Sequence, residues 1–241
     1  MRAWLAAIRL AALLTIALAL GIPDPRAASA PTLPVDIPPD ERARLERVAE
    51  AASVATRVET EPFLTRREIF EYLLDHPEFA THVTRTLRLA RYRIWRTADG
   101  MFLDDGWGAT GHFSVVQAVA GRRVMYCRGV YRQAVLPTIN GEAVAMIQYE
   151  VSPAGDGRDI VHATVSGFVK LDSGILALAT KIVKPIAQRK ADLEARRLMR
   201  TFARVSRAIE DNPGDVYERL RQRPDVPARE LEEFGRLLNL R

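Results

Sequence analysis

The 241-residue sequence lacks the patterns by which most enzyme active sites are recognised. It contains one cysteine, Cys127, so no intramolecular disulfide can form and the fold must be stabilised by packing alone. It has only four histidines and no HExxH zinc motif, and it also lacks a glycine-rich phosphate loop and a nucleophile elbow. We therefore expect the function to depend on the shape of a binding cavity rather than on a known catalytic motif, and we predict no metal and no cofactor.

Lysine is scarce as well, and this bears on possible partners. The chain has 31 arginines but four lysines, which is more typical of genome composition than of a selected binding surface. The formal charge of +5 falls to +3 without residues 1–30, because that segment carries three arginines and one aspartate. A charge this small predicts no nucleic-acid partner. The apolar fraction of 48% and charged fraction of 27% are those of an ordinary globular domain.

No apolar run is long enough to span a membrane. Arg2 and Arg9 precede an uncharged apolar run of 13 residues, 10–22, whereas a spanning helix needs roughly 20. The small residues Ala28-Ser29-Ala30 then form a typical signal-peptidase site. We interpret residues 1–30 as a signal peptide, and a secreted chain without disulfides fits a bacterial periplasm. The alternative is an uncleaved segment that anchors the protein to the inner membrane.

The mature chain begins with a proline-rich lead-in and then changes from helical to strand periodicity. Residues 31–52 contain four prolines followed by an amphipathic helix at 40–52, and alternation at 53–61 predicts a strand. Thr65-Arg66-Arg67-Glu68 reads as a capping box that begins a helix. His76-Pro77 ends that helix and begins a second one.

A long region of two-residue periodicity follows and predicts the main sheet. The last strand is the clearest, because alternate apolar residues from Val161 to Leu171 share one face. We interpret 136–141 as a loop. The six strands predicted here lie at 91–97, 101–104, 109–119, 123–132, 142–152 and 159–171.

Helical spacing returns at Ile175 and continues to Ile209, with Pro185 as a kink or a break. Nine basic and three acidic residues between 181 and 210 give this helix a local charge of +6. Two short helices are predicted in the tail. The sequence thus divides into a signal peptide (1–30), a lead-in with a helix (31–52), a main domain (53–210) and a helical tail (211–241).

The order of these elements resembles that of the START-like, or helix-grip, superfamily of polyketide cyclase/dehydrase and lipid-transport proteins. The resemblance is carried by the first strand, Val54-Ala55-Thr56-Arg57-Val58, by the joint Asp75-His76-Pro77 and by the helix from Ile175 to Ile209. It implies an α+β fold in which a curved antiparallel sheet of about seven strands grips the long helix, with two short helices after the first strand. It also implies an apolar cavity between sheet and helix, whose mouth the helix at 40–52 or the tail is placed to cover.

The predicted function is the binding or transport of an apolar or amphipathic, lipid-like molecule in that cavity. Two alternatives stay open: a cyclase- or hydratase-type enzyme, and a structural partner whose cavity is filled by Trp95, Phe113, Met125 and Met146. Inward-facing positions of the strands and the helix give the predicted wall. Its residues are Ala145, Ile147, Tyr149, Val161, Ala163, Val165, Val169, Ile182, Ile186, Phe113 and Tyr131.

The basic residues of the long helix are predicted to lie on its outer side and flanks, where they can meet an anionic headgroup or membrane surface. These residues are Arg189, Lys190, Arg196, Arg197, Arg200, Arg204 and Arg207.

Other chemical groups give weaker signals. His112 and His162 can share a site only if their strands are neighbours. Asp104-Asp105, in a glycine-rich break, is typical of a turn. Inside the cavity, Tyr131, Tyr149 and Cys127 are the candidate polar groups, and buried tyrosines more often complete a core hydrogen bond than catalyse a reaction.

Overall fold

The computed structural model describes residues 31–133 and 136–240, except for the side chains of 133, 136–137, 173–184 and 186. The predicted signal peptide therefore lies outside the described residues. Within these ranges, no helix has both the length and the apolar character needed to cross a lipid bilayer.

The described residues form six helices and eight strands. The helices are α1 (Pro39–Glu50), α2 (Arg67–Asp75), α3 (Pro77–Thr86), α4 (Ser173–Asp211), α5 (Pro213–Arg221) and α6 (Ala228–Leu237). The strands are β1 (Val54–Glu59), β2 (Phe63–Thr65), β3 (Arg93–Thr97), β4 (Gly100–Asp104), β5 (Ala109–Val119), β6 (Arg122–Gln133), β7 (Leu136–Pro153) and β8 (Asp159–Leu171).

All strands belong to one curved antiparallel sheet, in the order β1-β8-β7-β6-β5-β4-β3. The short strand β2 continues the edge beyond β1 and also pairs with β8. The predicted α+β class, with two helices after the first strand and a long helix after the last, is confirmed. The eighth strand was not predicted, because three residues are too few to show a period.

One sequence interpretation of local structure is wrong, and of the two alternatives predicted at Pro185, a kink or a break, the break is excluded. Residues 136–141 are not a loop but the beginning of β7, where Ile139 pairs with Tyr131. Helix α4 runs through Pro185 without a break. Proline inside a helix removes one backbone hydrogen bond, but the packing of a long helix can outweigh that loss.

The inner face of the sheet packs against α4 and α2. Phe70 of α2 is fully buried at the centre of this layer, with edge-to-face contacts to Tyr149 at 5.0 Å and Phe202 of α4 at 5.5 Å between ring centroids. Ala195 and Met199 of α4 belong to the same cluster. Burying a phenylalanine to this extent contributes about 1.5–3 kcal/mol, so this cluster fixes α4 on the sheet.

Helix α1 packs on the outer face of the sheet, opposite α4. Its buried Leu45 and Val48 contact a cluster that includes Val144, Met146 and Phe168. These strand residues have the opposite parity to the inner-face set, which explains why Phe168 is buried although it lies on the outer face. The expectation that this N-terminal helix could cover the cavity mouth is therefore wrong.

The tail shares a core with the earlier helices. Val216, Leu220 and Phe234 of α5 and α6 are buried against Ile69 of α2 and Ile209 of α4. None of the described tail residues lines the cavity found below. The expectation that the tail could cover the cavity mouth is therefore also wrong.

The beginning of α2 is capped differently from the sequence prediction. Thr65 lies in β2, and its hydroxyl donates to the carbonyl of Arg66 instead of capping the helix. The backbone N–H of Arg66 donates to the Glu210 carboxylate at 2.9 Å. The predicted capping box is thus replaced by a long-range cap, in which the end of α4 holds the start of α2.

Candidate functional site

Three glycines in register mark the place where the inner face carries no side chains. Gly111 pairs with Gly129, and Gly129 pairs with Gly141, across β5, β6 and β7. A Cβ atom at Gly129 would lie 2.4 Å from the carbonyl oxygen of Thr110, and similar overlaps occur at the other two. Larger residues are therefore excluded by the close approach of the strands, and the bare backbone forms a floor.

A cavity of about 320 Å³ lies above this floor, beneath α4, and its wall is almost entirely apolar. Both surfaces that face it carry small residues: Ala109 and Ala143 on the sheet, and Ala187 and Ala191 on the helix. Larger apolar side chains close the sides, namely Leu103, Phe113, Tyr131, Ile139, Val169 and Leu171. The space exists because small residues of β5, β6 and β7 face small residues of α4.

Two charged residues of the cavity lining lie on α4, one turn apart. Lys190 and Glu194 both line the cavity, and the Lys190 ammonium donates to Glu194 Oε1 at 3.0 Å. The ammonium also donates to Asp105 Oδ2 at 2.6 Å. Burial lowers the pKa of Lys190, but the bonds to Asp105 and Glu194 more than offset this effect and hold its pKa above the ordinary value. Lys190 is therefore a charged donor at the cavity wall.

Asp105 is held rigidly for this role. Its side chain is 4% exposed, and its second oxygen accepts from the backbone N–H groups of Trp107 at 2.6 Å and Ala109 at 2.9 Å. The turn chemistry expected of this aspartate is present, since an aspartate that bonds to the amide two residues on forms an Asx-turn. The ion pair with Lys190 is an additional role that the sequence pattern did not indicate.

Glu194 is equally tied. Its Oε1 accepts from Arg197 at 2.6 Å, and its Oε2 accepts from the Tyr92 hydroxyl at 2.6 Å. Arg197 stacks on the Trp107 ring, 4.0 Å from its centre. Burial and then the bond to Glu194 raise the pKa of Tyr92, so this hydroxyl stays a donor. We call the set of Asp105, Lys190, Glu194, Arg197 and Tyr92 the polar cluster.

Cys127 also lines the cavity, between the floor and Phe113. Part of its surface is open to the cavity, yet burial raises the pKa of its thiol to about 12. The thiol is therefore protonated at neutral pH, and a protonated thiol is a poor nucleophile.

The predicted wall residues of β7 and β8 lie on the inner face, but only one lines the cavity. Val169 lies at the cavity, as do Phe113 and Tyr131. Ala145 shares the inner face beside them. The remaining five, Ile147, Tyr149, Val161, Ala163 and Val165, belong to the closed core with Ala195 and Met199. The side chains of Ile182 and Ile186, toward which these residues were expected to point, lie outside the described residues.

Tyr149 has a structural environment. Its hydroxyl donates to Glu71 at 3.0 Å and accepts from Arg123, which in turn forms two bonds with Asp75 at 2.6 and 3.0 Å. Burial raises the pKa of Tyr149. These bonds attach α2 to the sheet, at a distance from the cavity lining.

The basic residues of α4 divide into two groups. Arg189, Arg196, Arg200, Arg204 and Arg207 are exposed, and none of them forms an ion pair among the described residues. Lys190 and Arg197 lie on the flank within the polar cluster instead, where carboxylates occupy their charges.

The two strand histidines do not meet. The strands β5 and β8, which carry His112 and His162, are separated by β6 and β7. His112 packs edge-on against Phe102, with ring centroids 4.8 Å apart. Among the residues described, no group of three or more potential metal ligands is present.

Sequence reasoning missed Gly111, Gly129, Gly141, Ala187, Ala191 and Glu194 as site residues. Gly111 and Gly129 sit in strands that were correctly predicted, where a glycine indicates a bend or a close approach. Gly141 lies in the stretch 136–141, which was predicted as a loop. Ala187 and Ala191 are four apart in the sequence, so they share one face of α4. The strand glycines and the helix alanines together indicate a gap between sheet and helix. Recognising it required the register of β5, β6 and β7, which brings the three glycines side by side.

Comparison with known proteins leaves the family open. No family model and no curated protein matches the chain. Among solved structures, a conserved protein from Geobacillus kaustophilus is similar with a TM-score of 0.35 and 11% identity, over 66% of this chain and 93% of that one. Dicamba monooxygenase bound to dicamba gives a TM-score of 0.28 and 13% identity, over 78% of this chain and 60% of that one. Both similarities are weak, so the function must be argued from the residues themselves.

Proposed function

We propose that this protein binds a small apolar or amphipathic molecule in the cavity between the sheet and α4, as a carrier or sensor. The observation that supports this most directly is the cavity itself, about 320 Å³ in volume and apolar on nearly all of its wall. Ligand pockets run from about 300 to 1,000 Å³, so this one lies at the small end of that range. The space stays open because the glycine floor has no side chains and Ala187 and Ala191 above it have only methyl groups.

The alternative of a filled cavity is less well supported. Of the four residues expected to fill it, Trp95 is 37% exposed, and Met146 lies on the outer face beneath α1. Phe113 forms the side of the cavity, and Met125 packs with the closed core. These side chains therefore leave the space above the glycines empty.

The enzyme alternative has little to recommend it chemically. The thiol of Cys127 has a raised pKa. The charges of Lys190 and Glu194 are paired with each other and with those of neighbouring side chains. A general acid or base needs a pKa near the working pH. The order of elements, with α4 against the inner face, keeps the START-like interpretation as the proposed family.

Location is a proposal that depends on the sequence alone. The charged start, the 13-residue apolar run and the Ala28-Ser29-Ala30 site support export to the periplasm, with Pro31 as the first residue of the mature chain. The alternative is an uncleaved inner-membrane anchor. N-terminal sequencing of the protein purified from its own cells separates the two, since an anchored form returns Met1.

Dye binding tests the carrier proposal directly. The neutral dye N-phenyl-1-naphthylamine should fluoresce on binding to wild type, and the variant Ala191→Phe should abolish this because the added ring occupies the cavity. The matched control is Leu193→Phe, which alters the same turn of α4 on its exposed side, where Leu193 is 47% exposed. Equal dye binding by all three proteins would contradict the proposal. If the dye binds as expected, native mass spectrometry of the protein purified from its own periplasm identifies a retained ligand.

We also propose that the outer side of α4 meets an anionic membrane surface. At 100° per residue, Arg189, Arg196, Arg200 and Arg207 lie within about 40° of one another around the helix axis. Together with Arg204 they form what we call the arginine stripe, and it lies on the side of α4 opposite Ala187 and Ala191, which face the cavity. Like charges at this density repel one another, and an anionic surface relieves that repulsion.

Vesicle sedimentation tests the arginine stripe. We expect binding to vesicles that contain phosphatidylglycerol, weakening as salt rises, and we expect Arg196→Ser/Arg200→Ser to reduce it by roughly 1 kcal/mol for each charge removed. The control is Arg219→Ser/Arg221→Ser, which removes the same charge from α5, where each arginine already pairs with a carboxylate. Equal losses in both double variants, or equal binding to neutral vesicles, would contradict the assignment of this surface.

A further inference from the structure

The polar cluster balances its own charges. Asp105 and Glu194 contribute two negative charges, and Lys190 and Arg197 contribute two positive ones. Every carboxylate oxygen of the two acids accepts at least one bond, from Lys190, Arg197, Tyr92 or the backbone. The net formal charge of the cluster is therefore zero before any ligand enters.

Lys190 is the basic residue of the cluster that lines the cavity, and it has an unused donor. An ammonium has three N–H groups, and two of them are used by Asp105 and Glu194. Among the described residues, the third has no oxygen acceptor, and the ammonium lies 5.3 Å from the centre of the Tyr131 ring, which is part of the cavity wall. The third N–H is thus available to a ligand in the cavity.

From this balance we infer that the ligand is an uncharged amphiphile, with an apolar body and one oxygen acceptor, such as a ketone, ester carbonyl or hydroxyl, at the end that meets Lys190. The inference rests on the proposed function, because it assigns the chemical class of the ligand in the same cavity.

A carboxylate fits this site poorly. It would bring a third negative charge into a partly buried cluster that holds only two positive ones, and the two existing acids would repel it. Burying a charge without its own counter-ion is costly. An aliphatic amine is disfavoured for the opposite reason, because its charge would face the Lys190 ammonium. A neutral acceptor adds one hydrogen bond to a charged donor and disturbs none of the existing bonds.

Three probes that share a naphthalene ring separate these cases in the wild-type protein. Naphthalene has no acceptor, 2-acetylnaphthalene has a neutral carbonyl, and 2-naphthoate replaces its methyl group with a charged oxygen. At pH 7.5 we expect 2-acetylnaphthalene to bind about tenfold more tightly than naphthalene, as one bond to a charged donor allows, and at least tenfold more tightly than 2-naphthoate. Isothermal titration calorimetry or displacement of the neutral dye gives each Kd.

Two variants then assign the donor. Lys190→Met should bring the affinities for 2-acetylnaphthalene and naphthalene within about twofold, and it is best combined with Asp105→Asn so that no buried carboxylate is left unpaired. Arg219→Met, on α5 and outside both proposed binding surfaces, is the control and should leave the probe series unchanged.

The possible outcomes are distinct. Equal binding of naphthalene and its acetyl derivative, or tighter binding of 2-naphthoate, overturns the ligand class while leaving the carrier function in place. Failure of all three probes and of the neutral dye to bind overturns both. The ordered series in wild type, lost in the Lys190 variant, supports the inference.

Discussion

Replacing Ala191 by leucine is expected to stabilise the protein, whereas the same change one turn further along α4 is expected to destabilise it. Ala191 faces the cavity, so the added side chain enters empty space. Ala195 is 6% exposed and packs in the closed core with Met199 and Ile147, so a leucine there has no room. The pair therefore tests whether the boundary between cavity and core lies between these two residues.

The size of the effect follows from the added carbons. Leucine adds three carbon atoms, and each buried methylene is worth about 0.8 kcal/mol. About 0.5–1 kcal/mol of this is lost because the side chain is fixed, which leaves a gain of about 1–2 kcal/mol for Ala191→Leu. Overpacking at Ala195 costs about 1–3 kcal/mol. The free energies of unfolding of the two variants should thus differ by roughly 2–5 kcal/mol.

Urea unfolding at 25 °C, followed by tryptophan fluorescence, measures both variants and wild type. The slope of the free energy of unfolding against urea concentration should be the same for all three proteins, so that a shift in the unfolding midpoint reports a change in stability alone. Equal destabilisation by Ala191→Leu and Ala195→Leu would refute the reasoning, because it would mean that no space exists beneath Ala191. A stabilised Ala191→Leu variant that has also lost dye binding would link the space to the ligand.

Three further predictions concern the frame around the site. Gly129→Ala should lower the free energy of unfolding by about 1–3 kcal/mol, because the added methyl group overlaps a neighbouring strand. The control Gly214→Ala adds a methyl group with nothing within 4 Å, so it should leave the free energy of unfolding unchanged or raise it by about 0.5–1 kcal/mol. Chemical denaturation measures both variants. Cys127 in the native protein should react with iodoacetamide at pH 8.5 at least tenfold more slowly than in the urea-unfolded chain, because its raised pKa keeps the thiol protonated. Saturating naphthalene should slow the native reaction further. A native rate equal to the rate in the unfolded chain would contradict this prediction. Glu210→Ala should lower the free energy of unfolding by about 1–3 kcal/mol, because it leaves the backbone N–H of Arg66 without its acceptor. A melting temperature unchanged from wild type would show that the long-range cap is not needed.

The sequence predicted the frame of the fold well and the site only in part. Strand β8 was predicted with its observed bounds because its alternation is long and regular. The inner face of β7 and β8 followed from the same alternation. The cap at Arg66 could not be predicted, because its acceptor, Glu210, lies 144 residues away. The polar cluster was missed for the same reason: Asp105 and Lys190 are 85 residues apart and meet only once α4 lies on the sheet.

The position of the cavity along α4 depends on residue size on both surfaces at once. Ala195 is as small as Ala191, yet no space remains beside it, because Ile147 and Val165 of the sheet fill the gap. Opposite Ala187 and Ala191 the sheet carries glycines and alanines instead, and the space stays open. Hydrophobicity patterns treat these two stretches alike, since both are apolar and inward-facing. They therefore predicted a single continuous wall, whereas volume divides that wall into a closed core that anchors the helix and an open cavity beside Lys190.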